Sequence, residues 1–78
     1  MKSIHTDEYK NFITILIDAR KRVEKTQMDV ANILDKPQSY IAKYEGCERR
    51  IDVLEFIKIC QAIDVDPISV LREADLLP

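Results

Sequence analysis

Gln38, Ser39, Ala42 and Lys43 sit within the stretch KPQSYIAKYEGCERR, residues 36–50. At about 100° per residue they fall on one side of a helix, opposite Pro37, Ile41 and Tyr44. The outward set is short, polar and nearly uncharged, and it suits close approach to another surface. A glutamine amide both donates and accepts, and it pairs bidentately with N6 and N7 of adenine. A serine hydroxyl pairs with several bases, an alanine methyl meets the thymine methyl, and Lys43 can reach a guanine or a phosphate. This is equipment for reading base edges in a major groove. The same composition also occurs on helix faces that only meet water, so the neighbouring elements must decide.

Those neighbours form two helices joined by a very short turn. Thr26 can cap a helix over residues 27–34, with Val30, Ala31 and Leu34 facing inward. Asp35 and Lys36 make the turn, and Pro37 suits the first position of the next helix, where its missing N–H costs nothing. Gly46 ends that helix as a natural left-handed stop. The unit, about residues 27–46, reads as a helix-turn-helix, with the second helix in the groove and the first crossing the backbone. The helix start at Thr26 and Gln27 offers free N–H groups and a positive dipole end to a phosphate. Arg49 and Arg50 follow the reading helix, where they can grip the flanking backbone.

Three further helices support that unit. The first spans about residues 7–24, capped by Thr6, with Asp7 and Glu8 in its favourable first turn. Tyr9, Phe12, Ile13, Leu16, Ala19 and Val23 form its buried stripe. Ile15 and Ile17 widen the stripe beyond what one core needs. Arg20 projects into the middle of the apolar arc, so it must snorkel out or find a buried carboxylate. A fourth helix covers about residues 53–63 behind an Asp52 cap. The segment DVDP ends it and starts a fifth, with Asp66 as cap and Pro67 first. The tail DLLP is expected to fray.

Composition narrows the function classes. The chain has 78 residues, 46% hydrophobic and 33% charged, with one glycine and three prolines. It is expected to form one all-α domain over residues 1–78. No apolar run approaches the roughly 20 residues of a membrane span, and the start lacks the pattern of a secretory signal. Cys47 and Cys60 with a single histidine, His5, fall short of the usual four zinc ligands, so two free thiols and no metal are expected. His5 suits capping or packing better than general-base work. No nucleophile–histidine–carboxylate spacing and no glycine-rich phosphate loop is present, so no enzyme and no cofactor are expected. Residues 1–50 carry ten Lys/Arg against eight Asp/Glu, while residues 51–78 carry two against six. A basic front and an acidic rear can present one phosphate-facing surface despite the net charge of −2.

The run TQMDVANILDKPQSYIAKYE resembles the helix-turn-helix of the lambda-repressor-like XRE (Cro-type) regulators. The pattern is TQ, an apolar–Ala pair at Val30 and Ala31, Leu34 before the turn, and Ile41. The later ERR, Asp52, EF and DVDP, and the head IHTDEY, extend the resemblance over almost the whole chain, towards small stand-alone regulators. It implies a compact five-helix fold, with Gln27 meeting a phosphate and Gln38, Ser39 and Lys43 facing bases. It also implies a backbone-contacting Tyr40, which equally fits a packed flank, and an Arg20–Glu45 ion pair tying the first helix to the reading helix. Three places depart from the family pattern. Asp35 stands where glycine is usual, Lys36 replaces an apolar turn residue, and the family often has its glycine one place after Gly46.

The expected function is therefore sequence-specific binding of double-stranded DNA by a regulator, acting as a repressor on a palindromic operator. Excess apolar surface on helices one, four and five points to a homodimer, because one reading helix buries too little for high affinity. The other possibility is an antitoxin-like interaction module, with a toxin as its main partner and DNA binding as autoregulation. Either would work in the cytoplasm of a bacterium or a phage-infected cell, at the nucleoid.

Overall fold

The computed structural model describes residues 6–78. His5 and Ile4, the start of the head IHTDEY, lie outside the described residues. Among those described there are five helices: α1 (Asp7–Arg22), α2 (Gln27–Leu34), α3 (Gln38–Glu45), α4 (Val53–Ala62) and α5 (Pro67–Glu73). None is long and apolar enough to cross a membrane.

Four starts follow from local side-chain chemistry. Thr6 Oγ1 accepts from Tyr9 N at 3.2 Å, and Asp66 Oδ1 accepts from Ile68 N at 3.2 Å. Thr26 and Asp29 form a reciprocal box: Thr26 Oγ1 accepts from Asp29 N at 3.0 Å, and Asp29 Oδ2 from Thr26 N at 2.8 Å. Asp52 and Glu55 repeat the arrangement at the head of α4, both bonds 2.8 Å long. Each box satisfies two N–H groups that have no partner within the helix. Pro37 differs from expectation. It precedes α3 as its N-cap in an extended conformation, is exposed rather than inward, and makes no side-chain cap bond.

All five helices end alike. Glu24, Asp35, Cys47, Asp64 and Asp75 each take a left-handed φ between 56° and 61°. The next residue then donates back to a carbonyl five positions earlier, as Glu48 N does to Lys43 O at 2.8 Å and Lys36 N to Ala31 O at 2.9 Å. This is the Schellman closure, which satisfies carbonyls the helix leaves open. It corrects two expectations. The first helix stops at Arg22, because Glu24 turns left-handed, and Val23 is exposed. The third helix is stopped by Cys47, while Gly46 keeps φ −85°. What Gly46 supplies is room: a Cβ there would lie 3.1 Å from Ala42 O.

The core draws on every helix. Ile13 and Leu16 of α1, Val30 and Ala31 of α2, Ile41 and Tyr44 of α3, Ile59 and Cys60 of α4, and Val70 of α5 are essentially sealed from solvent. Ile15 is buried and Ile17 partly so, which absorbs most of the stripe's extra width. Helix α3 rests on α2 and α1, so the reading unit is supported from one side. Cys47 and Cys60 are buried and unpaired, and burial pushes the Cys60 thiol up to about 11.

Candidate nucleic-acid interface

Tyr44 and Ile41 anchor α3, and its opposite side carries Gln38, Ser39, Ala42 and Lys43, all exposed. These four exposed side chains share one face of α3. An ion pair ties α3 to α1. Arg20 Nε donates to Glu45 Oε2 at 2.7 Å and Arg20 Nη2 to Glu45 Oε1 at 3.0 Å, a bidentate pair. Their side chains are only 11% and 6% exposed. The hydrogen bond to Glu45 holds the Arg20 guanidinium above its ordinary range despite its burial. Arg20 Nη1 also donates to Lys25 O at 2.8 Å, so the pair ties α1, the α1–α2 corner and the reading helix together.

Gln27 joins the same cluster. Its Nε2 donates to Glu45 Oε1 at 2.9 Å, and its Oε1 accepts from Gln38 Nε2 at 3.4 Å. Around it lies an open recess of about 610 Å³ lined by Arg20, Lys21, Glu24, Lys25, Thr26, Gln27, Met28 and Gln38. The start of α2 opens beside this recess. Its helix dipole favours an anion there, while Arg20 is already paired with Glu45, Lys25 with Asp64, and Glu24 adds a negative charge to the rim.

The other flank of α3 is organised around Glu55, which links the helix's first turn to the loop that follows it. Its Oε2 accepts from Tyr40 Oη at 2.9 Å and from Arg49 Nη2 at 2.8 Å, and its Oε1 from Asp52 N at 2.8 Å. The Arg49 hydrogen bond leads in holding this carboxyl down to about 2. Tyr40 is half-buried, and burial followed by the Glu55 bond pushes its hydroxyl up. Cations lie over its ring, Arg49 at 4.7 Å and Lys36 at 5.4 Å from the centroid. Tyr40 therefore packs as a flank while its neighbours stay cationic. Arg49 is engaged with Glu55 and with Arg50 O at 3.1 Å, so a phosphate would have to use its remaining N–H groups. Arg50 is exposed, its guanidinium 5.6 Å from the Tyr9 ring centroid. Tyr9 in turn accepts from Ile51 N at 3.3 Å, fixing the loop that carries both arginines to α1.

Two features escape the sequence reasoning. Glu55 as the hub of Tyr40 and Arg49 is one, although Asp52 followed three places later by a glutamate was a readable capping signal. The link from Gln27 to Gln38 is the other. It bridges eleven positions, and no local pattern announces it.

Comparison with known proteins agrees with this architecture. A family model described as helix-turn-helix matches residues 16–69. No curated protein matches. Among solved structures, the chain is similar to an XRE-family like protein from Pseudomonas syringae pv. tomato str. DC3000. The two are 38% identical with a TM-score of 0.86, over 92% of this chain and 88% of that one. The chain belongs to the XRE family of helix-turn-helix proteins, DNA-binding regulators of transcription.

Proposed function

We propose that this regulator binds a palindromic duplex operator as a homodimer and represses from it, in the cytoplasm at the nucleoid. The observation that carries the reading is the exposed quartet Gln38, Ser39, Ala42 and Lys43 on a helix locked from behind by the Arg20–Glu45 pair. Rigid presentation matters because base discrimination depends on hydrogen bonds of fixed direction. Thr26 and Gln27 then meet one phosphate, and Tyr40, Arg49 and Arg50 border the backbone on the other flank. The single domain is the unit that docks, and a second copy supplies the second half-site about 34 Å away.

Val53 and Leu54, 74% and 72% exposed at the head of α4, support a protein partner. A second copy is the first candidate for that partner. The same pair favours the second reading, an antitoxin whose apolar α4 face meets a toxin. Selection of bound sequences from a random duplex pool tests the main reading: a palindromic consensus is expected. Recovery of no sequence preference, with capture of a toxin and no operator binding, would favour the antitoxin.

A further inference from the structure

Arg49 stands on the backbone flank of the interface, yet its charge is already answered from within the chain. Its Nη2 donates to Glu55 Oε2 at 2.8 Å, its Nη1 to Arg50 O at 3.1 Å, and its guanidinium lies 4.7 Å from the Tyr40 ring centroid. Part of the donor fork that would meet a phosphate is thereby spent. Glu55 is itself anchored. Its Oε1 accepts from Asp52 N at 2.8 Å in the α4 cap, and its Oε2 also accepts from Tyr40 Oη at 2.9 Å, so the carboxylate stays with the helices. Held down to about 2, the Glu55 carboxyl is ionised at any ordinary pH. Sequence-independent affinity for a duplex comes from the net positive charge brought to the phosphates, because that charge displaces condensed counterions. Arg49 brings an anion with it, and that anion repels a phosphate placed beside the pair. The two side chains are 40% and 23% exposed, so water screens the pair and the cancellation is partial.

We infer that Glu55 restrains the grip of Arg49 on DNA, withholding a cation from the backbone so that affinity rests less on charge and more on base contacts. Glu55 acts through Arg49 and touches no DNA itself. This rests on the duplex-binding face proposed for α3 and its flanks.

The test measures binding of the full chain to a random-sequence duplex between about 50 and 200 mM salt. The wild type, Glu55→Gln, Arg49→Met and the double variant are compared, each first shown to be folded by circular dichroism. Glutamine keeps the side-chain length and suits the cap position, but carries no charge. Glu55→Gln is expected to steepen the slope of log K against log salt by up to about 0.9, so that affinity falls about threefold further across that range than the wild type's does. Arg49→Met alone is expected to change the slope by less than about half that amount, whereas added to Glu55→Gln it removes the whole gain. A purely structural Glu55 would weaken binding without steepening it, and the two replacements would not interact in the slope. A Glu55→Gln slope that is unchanged or shallower overturns the inference and makes Glu55 a support for Arg49 instead. If Glu55→Gln fails to fold, Arg49→Met decides alone: a loss of about 0.9 marks an unrestrained cation and overturns the inference, and a loss below half of that supports it. A wild type that binds no duplex at the lowest salt overturns the reading of α3 as well.

Discussion

Replacing Glu45 with alanine strands a guanidinium whose side chain is only 11% exposed. Arg20 keeps its bond to Lys25 O at 2.8 Å, but loses both bonds to the carboxylate, and Gln27 loses its acceptor. Removing one partner of a buried pair costs about 3–5 kcal/mol, mostly through the uncompensated charge left behind. The Lys25 carbonyl and the open recess beside Arg20 give the cation some relief, which places the loss near the lower bound, about 3 kcal/mol. A chain of 78 residues has a total stability of about 4–12 kcal/mol. At this size about 1 kcal/mol moves Tm by about 4–8 °C, so the melt is expected to fall by about 12–24 °C. Thermal and urea melts followed by far-ultraviolet circular dichroism measure it. The double replacement Arg20→Met with Glu45→Leu removes the charge along with its partner and is expected to recover most of the loss. A Glu45→Ala melt within about 4 °C of the wild type would mean that the pair behaves as a solvated one. A double variant as unstable as the single would trace the loss to packing instead of unpaired charge.

Acid should loosen the hold of Glu55 on Tyr40 and Arg49. The Glu55 carboxyl is held down to about 2 from its usual 4.5, so the folded state takes up its proton less readily than the unfolded chain. Its contribution is complete above about pH 4.5 and disappears as pH falls towards 2. With allowance for solvent around Arg49, that contribution is about 2 kcal/mol, and urea melts of Glu55→Gln should lack that part of the acid slope. Asp35→Gly relieves a left-handed residue at φ 57° and is expected to add about 0.5–1 kcal/mol, the gain reduced by the freedom glycine brings to the unfolded chain. A lower Tm would show that Asp35 makes a compensating bond. Arg50→Ala is expected to weaken selected and random duplexes alike and to lower the slope of log K against log salt by about 1. A loss confined to the selected operator would assign Arg50 to base reading.

Legibility in the sequence followed the range of the interaction. Thr26, Asp52 and Asp66 were readable as caps because each closes a bond within three residues of itself. Helix ends were less so. Glycine is the ordinary choice for a left-handed stop, which pointed to Gly46, but the closing bond from Glu48 N to Lys43 O needs the turn at Cys47. Position 46 instead demands a small residue beneath the Ala42 carbonyl. That Arg20 needs a carboxylate could be read from its apolar neighbours. That the carboxylate belongs to residue 45, 25 places away, came from resemblance and not from spacing. Glu55 as a hub and the bond between Gln27 and Gln38 are products of tertiary placement, so no periodicity carries them.

The left-handed corners bear on how such a protein can change its target. Glu24, Asp35, Cys47, Asp64 and Asp75 occupy a conformation that glycine adopts more easily, and none of them lies among the four residues that face outward from α3. Altering a recognition surface usually erodes robustness, and lineages that tolerate the erosion are the ones that find new targets. Here four exposed corners, with Cys47 set apart by its buried thiol, offer compensation at positions outside that quartet. New binding preferences can therefore accumulate on one side of the molecule while losses are repaired at its bends.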